Sequence, residues 1–584
     1  MTAFRLALFA AVLALTAGAC SRSEEPAPAG AANALLDYVP ADSPYVAANL
    51  ERLPEDVIDS YLARMQPAID EMQAQLTAVR TDLEAAGKES ADGAGDDPAA
   101  RLALAVLGEL DGNLSRSGLA SLGLDILSQK VFYGVGAFPV VRLGLSDSAV
   151  LRATIERVLE ISETPVAEQS FEDVGFWRII ADDAGDVPLG LYLAILDDHL
   201  VAGLLPPAYE AEVLPAFLGL VKPSDSTARD QLSRLNRDHG YTPFGSAILD
   251  LQLLADEFLE ADSLTLRVIA DTGEVDPESI SADCKSEVHE IIGNAPRMTL
   301  GTTELSDGGI AYQYRLESPA SLAGQLAGLV ARLPQADALS SRMLDLSFGM
   351  RLGAARDFLR EKAAAIVDDP YLCEHLQDIN ESASRSLARL DQPMPPFLNN
   401  FRGLRIALDE IMPGHSQMPE NARGHLALHV EQPEMFLGMA QMFLPDLSSL
   451  DLTAGADPVE IPQSLIPVPG VVVSAAMSDD AIGIAVGAGE EATLREFIDR
   501  SAGPADMFLS VSYDSAAYLE YTDAIDQAPA GDNGDDPAAA ARAIGEAARD
   551  AFHRSADRSS TTLRFSPGGL LVDARMTFRP MAED

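Results

Sequence analysis

Cysteine is scarce: Cys20, Cys284 and Cys373 are the only three among 584 residues. So few thiols exclude a disulfide-dense scaffold or a cysteine-rich zinc module. Lysine is almost missing, with Lys88, Lys130, Lys222, Lys285 and Lys362 the five present. Positive charge as a whole falls short, with Lys+Arg 41 against Asp+Glu 90 and a formal net charge of −49. Such a chain repels phosphate backbones, which makes nucleic acid a very poor partner. After the first 20 residues no uninterrupted apolar run approaches the roughly 18 residues of a spanning helix, which excludes a polytopic membrane protein. What is present suits a folded protein, at 47% hydrophobic and 22% charged residues. A prior of about 150 residues per domain gives three to four units.

Residues 1–19 (MTAFRLALFAAVLALTAGA) carry one charge, Arg5, then an apolar stretch from Leu6 to Leu15, then small residues. This pattern predicts a secretory signal peptide, too short to anchor the chain by itself. Ala17-Gly18-Ala19-Cys20 resembles the lipobox of bacterial lipoproteins, in which the cysteine thiol is acylated before cleavage, although Ala17 stands where Leu is usual. Ordinary cleavage after Ala17 or Ala19, leaving Cys20 unmodified, is the alternative. Among such lipoproteins Ser21 after the cysteine implies sorting to the outer membrane. Residues 20–34 (CSRSEEPAPAGAANA) have tether composition. Without residues 1–19 the chain keeps 40 basic and 90 acidic residues. Membrane contact is therefore expected through lipid on Cys20, since an acidic surface avoids anionic headgroups. The acid excess itself fits a salty habitat or a GC-rich genome as readily as an acidic binding surface.

The body reads as alternating strands and amphipathic helices. Tyr45–Asn49 has strand composition, and Pro54-Glu55-Asp56 opens a long helix containing Pro67. Residues 87–97 read as a loop and Pro98 to Leu110 as a second helix. Thereafter a strand repeatedly runs through a Ser, Asp or Pro corner into a helix. The strands Val140–Leu145, Ala311–Leu316, His425–Val430, Ile482–Val486 and Met507–Ser512 lead to helices ending near Glu160, Leu333, Phe443, Asp499 and shortly beyond Asp514. Asp197-Asp198, Ser306-Asp-Gly-Gly309, Ser478-Asp-Asp480 and Ser566-Pro-Gly-Gly569 read as hairpin turns. The expected fold is α+β: extended, mostly antiparallel sheets of repeated hairpin–helix units, with helices packed on one sheet face. No strict period of the solenoid kind is present. Soft boundaries suggest units at 35–222, 223–452 and 453–584, the last completing the sheet with its terminal hairpin. Residues 523–537 form an insert ahead of an Ala-rich helix at 538–555.

Catalytic motifs are incomplete throughout. Cys284 and Cys373 predict a disulfide closing a loop of roughly 90 residues, worth about 4 kcal/mol by loop entropy. Free thiols are one alternative, and zinc held with His289 and His375 is another, although the spacing matches no known zinc pattern. His289-Glu290 lacks the second His of a zinc protease helix. Gly414-His-Ser416 lacks the closing Gly of a nucleophile elbow, which leaves Ser416 a poor nucleophile. The acid clusters Asp182-Asp183…Asp186 and Asp532…Asp535-Asp536 lack the calcium-loop pattern and read as solvated loops. Trp177, in a strand pattern, is expected in the core. Gly324-x3-Gly328 suggests close helix packing. His425 and His429 share a strand face, where surface or half-buried positions would explain them without a metal. No cofactor, metal or catalytic residue is assigned.

Leu35-Leu-Asp-Tyr-Val-Pro-Ala-Asp-Ser-Pro-Tyr-Val46, directly after the lipobox and tether, resembles the opening of uncharacterised proteobacterial lipoproteins. The strand–corner–helix plan is similar to a secreted family of unknown function. The resemblance implies a location and a fold, and brings no activity. The expected function is a non-catalytic, lipid-anchored envelope protein facing the periplasm that binds another protein or scaffolds an assembly. A carrier or sensor of a lipid or other amphiphile is the second reading, and an envelope hydrolase the third.

Overall fold

The computed structural model describes residues 33–89, 98–163, 166, 168–180, 189–224, 226–273, 275–336, 341–412, 421–443, 447, 450–466, 470–526 and 555–580. The signal segment, Cys20, Ser416, the two acid clusters and the Ala-rich segment up to 554 lie outside these residues.

Ten strands come from the first part of the chain: β1 (Tyr45–Ala48), β2 (Lys130–Val135), β3 (Phe138–Gly144), β4 (Gln169–Phe171), β5 (Val174–Ile180), β6 (Gly190–Ile195), β7 (His199–Leu205), β8 (Ser246–Asp250), β9 (Arg297–Ser306) and β10 (Gly309–Glu317). Nine follow: β11 (Leu344–Gly349), β12 (Phe401–Met412), β13 (Asn421–Val430), β14 (Val459–Glu460), β15 (Val473–Met477), β16 (Ala481–Val486), β17 (Met507–Asp514), β18 (Ala556–Ser566) and β19 (Gly569–Phe578). They form one 19-stranded sheet in which every pairing of these strands is antiparallel. The α+β architecture with an antiparallel sheet is therefore present. From edge to edge the order is β4-β5-β6-β7-β3-β2-β1-β8-β9-β10-β19-β18-β17-β11-β12-β13-β16-β15-β14.

That order reads the same from either end. β1, β2, β3 and β5–β10 occupy, edge to centre, the places of β11–β19 in the other half, and β4 is the one extra strand. The halves meet where β10 pairs with β19, with Gln313 opposite Asp573. The Gln313 side-chain amide donates to the Asp573 carboxylate at 2.7 Å. Matching positions carry matching local chemistry. Leu196 N–H donates to the His199 carbonyl across Asp197-Asp198, and Ser478 N–H to the Ala481 carbonyl across Asp479-Asp480. The hydroxyls of Ser306 and Ser566 close their turns on the carbonyls of Gly309 and Gly569. Asp250 caps the helix Leu251–Leu259 through the amides of Gln252 and Leu253. Asp514 does the same for Ser515–Asp526 through Ala516 and Ala517.

Helices lie on both faces rather than one, because strands such as β6 and β7 are apolar at successive positions and bury both sides. On one face Tyr133, Val140, Tyr192, Val201 and Leu205 pack under the helices Glu210–Phe217 and Ala228–His239. On the other, Trp177, Ile179, Leu193 and Leu200 pack under Pro98–Leu110 and Ser148–Ile161. Trp177 is thus a core residue. The long helix runs Glu55–Glu89 with Pro67 inside it, past the expected loop start at 87. The helix after β10 ends at Ala327, well short of Leu333. Gly328 follows it, and Leu329 and Val330 turn back by short-range backbone bonds. The boundaries expected at 222/223 and 452/453 fall between strands that pair side by side, β1 with β8 and β13 with β16.

Candidate functional site

In the second half, β12 and β13 send alternate residues to one face, with Arg405 opposite Ala427 and Ala407 opposite His425. Arg405 and Asp345 form an ion pair at 3.3 Å, both side chains 2% exposed. The Arg405 guanidinium lies 4.3 Å from the centroid of the Phe497 ring and donates to the Phe497 carbonyl at the end of the helix Glu491–Ile498. The first half uses a related device. Arg142 of β3 donates to the carbonyl of Phe217, at the end of Glu210–Phe217, and stacks on Tyr38.

Beside Arg405, single ligand atoms of Asp409, His425 and Glu490 lie within 4.8 Å of one another. His425 Nε2 stands 2.9 Å from the Glu490 carbonyl, and Nδ1 stands 3.1 Å from an Arg342 guanidinium nitrogen. A carbonyl only accepts and a guanidinium only donates, so the ring is the neutral tautomer with its proton on Nε2. Burial pushes the His425 pKa down, against the pull of the Glu490 carbonyl. Arg423 pairs with the Glu490 carboxylate at 2.8 Å, and Arg342 approaches Asp409 at 3.8 Å. Two guanidinium groups therefore balance two carboxylates around an uncharged imidazole. A carbonyl-oriented imidazole beside two carboxylates has the donor set of a divalent-cation site. Arg342, however, holds the Nδ1 lone pair, and any cation would have to displace it.

Cys284, at the first turn of the helix Ala282–Gly293, is joined to Cys373, just before the turn Glu374–Leu376, with Cα atoms 4.6 Å apart. The bridge links a segment between β8 and β9 to one between β11 and β12, and so ties the two halves together. With both sulfurs in that bond, no thiolate pair remains for zinc. His289 turns away from it, with Nδ1 at the Lys285 carbonyl and Nε2 at Asp256, each at 2.7 Å. His375 lies in the turn itself. His425 and His429 are 1% and 3% exposed, not surface or half-buried as expected, because helices cover the face of β13 that they share. Gly324 has no neighbour that a Cβ would meet, so the expected close packing there does not occur.

The sequence did not single out Arg342, Asp345, Arg405, Asp409, Arg423 or Glu490. Arg405 alone left a signal, as a charge at an inward position between Leu404 and Ile406.

Two open clefts border the central strands. One, of about 230 Å³, is floored by Ser510 of β17, Ser560 and Thr562 of β18, and Asp573 and Arg575 of β19, with Gln335 at its wall. Asp573 is paired with Arg564 at 2.6 Å, and Arg575 with Glu304 at 3.0 Å. The other, of about 400 Å³, lies between His239, Arg315, Glu317 and Pro319. No helix among the described residues is long and apolar enough to cross a membrane. Comparison with protein-family models, curated proteins and solved structures finds no match to this chain.

Proposed function

We propose that the chain is a non-catalytic envelope protein, anchored by lipid on Cys20 and facing the periplasm, that binds another protein or scaffolds an assembly. The observation that carries the reading is the bond between Cys284 and Cys373, which joins the two halves of the sheet. A structural bridge of that kind persists in an oxidising compartment, where a signal peptide and lipobox would deliver the chain. The continuous sheet supports a scaffold role, because a rigid surface fixes the spacing of whatever binds it. The same proposal takes the sheet as built from hairpin–helix units, duplicated across the β10–β19 junction.

The anchor is tested by mass spectrometry of the N-terminal peptide after expression of the full chain in a bacterium that processes lipoproteins. An acylated Cys20, and loss of the chain from membranes in Cys20→Ser, are the expected results. An unmodified Cys20 at the N-terminus of a soluble periplasmic chain would overturn the anchor. Binding is tested by crosslinking in cells, and failure to recover one reproducible partner would count against the scaffold role. A carrier of amphiphiles is the second reading. It is favoured by apolar side chains left open on β2, β9 and β10, where Phe132, Met298 and Tyr314 are each more than 40% exposed. Native mass spectrometry tests it through adducts that leave on denaturation.

A further inference from the structure

Strand register places a single row of residues across the centre of the sheet, symmetric about the junction: Ser246, Gly301, Gln313, Asp573, Thr562 and Ser510. In the first half this row is roofed. The Tyr241 ring lies on Gly301 so closely that a Cβ there would stand 1.9 Å from it, and its hydroxyl donates to Gln313 at 3.1 Å. Ser246 donates to Asn236 of the helix Ala228–His239. The roof belongs to the 28-residue connection 218–245 that precedes β8. In the second half the matching connection before β17 is eight residues, 499–506, with no helix and no tyrosine. Residues 335 and 336 cover Ser510, where the Ala336 amide donates to the hydroxyl at 2.8 Å. The space over Thr562 and Asp573 is the 230 Å³ cleft.

We propose that this cleft binds one sugar ring of a neutral glycan. It lies where the first half holds a hydroxyl-bearing six-membered ring. Tyr241 needs a glycine beneath it, whereas Thr562 puts a Cβ in the way of a flat aromatic ring and offers a hydroxyl instead. The hydroxyls of Thr562 and Ser560 have no hydrogen-bond partner among the described residues. Hydroxyls both donate and accept, as a sugar's do. The charged groups of the floor are already neutralised, Asp573 by Arg564 and Arg575 by Glu304. Paired in this way, the charged groups of the floor leave little to reward an ionic ligand, and Tyr312 is also among the residues lining the cleft. The proposal is independent of the anchor and of any protein partner.

Saturation-transfer NMR on the purified full chain, with maltotriose, N,N′-diacetylchitobiose and digalacturonate as probes, is the test. Saturable binding of a neutral sugar in the millimolar range is expected. Thr562→Val combined with Ser560→Ala should weaken it by about five-fold or more, the value of a lost hydrogen bond or two, while Thr562→Ser should retain it. A diazirine derivative of the bound sugar should label β18 or β19 in the unaltered protein, a readout that does not rely on the variants folding. The proposal is overturned by no saturable transfer from either neutral sugar, by preferential binding of digalacturonate, by undiminished binding in the folded double variant, or by labelling elsewhere.

Discussion

At the scale of single residues, the buried charges matter most. Arg405 and Asp345 are sealed together in the second half of the sheet. Removing one partner leaves the other charged and dry, which typically costs about 3–5 kcal/mol. Arg405→Met or Asp345→Asn should therefore lower the urea midpoint sharply, whereas Arg405→Met with Asp345→Leu should recover most of the loss. A double variant no better than either single change would mean that the pair is not the source. The histidines set the response to acid. Burial holds His199, His239, His425 and His429 below the ordinary value of 6.5. The unfolded chain then takes up protons that the folded chain resists, so their contribution is complete above about pH 6.5 and lost as the pH falls below it. His289, raised first by the Lys285 carbonyl and then by Asp256, works in the opposite sense. We predict that the four imidazoles held low by burial dominate, so that the urea midpoint is lower at pH 5 than at pH 7.5. His429→Asn should narrow that difference. An equal or higher midpoint at pH 5 would refute the assignment.

At the scale of elements, local chemistry was legible because it acts over three or four residues. Pro98–Leu110, the helix after Pro433 and all four hairpin turns lie where the sequence predicts them. A side-chain cap or a Gly-Gly turn needs no distant partner. The helix predicted to reach Leu333 shows the limit of such reading. Its apolar spacing continues past Gly328, but Val330 bridges to Met350 instead, an interaction 20 residues away that periodicity cannot see. The paired caps offer a direct test. Asp250→Ala and Asp514→Ala should each cost about 1 kcal/mol in thermal or urea unfolding. The two losses should add to within about 0.5 kcal/mol, since the helices are separate. A negligible loss at either site would show that its helix is held by packing alone.

At the scale of the whole molecule, the disulfide and the junction of β10 with β19 hold two like halves in one sheet. Cys284→Ser with Cys373→Ser should lower stability by about 4 kcal/mol on the loop-entropy model, for a sequence separation of 89. The unaltered protein should show a similar loss in dithiothreitol, and the double variant none. Insensitivity of the unaltered protein to reductant would remove the bridge from the account of its stability. By itself the sequence determined what depends on composition and near neighbours: the acidic balance, the α+β class, the hairpins, the caps and the two cysteines able to pair. Only the tertiary structure decided which strands lie side by side, that the order repeats in mirror sequence from both edges, and that Asp409, His425 and Glu490 converge. The reason is physical. Strands pair through backbone hydrogen bonds, which are indifferent to side chains, so the turns and caps are written in the local sequence while the order of the strands is not. Charges such as Arg405 and Asp345, 60 positions apart, meet only when two strands are laid next to each other.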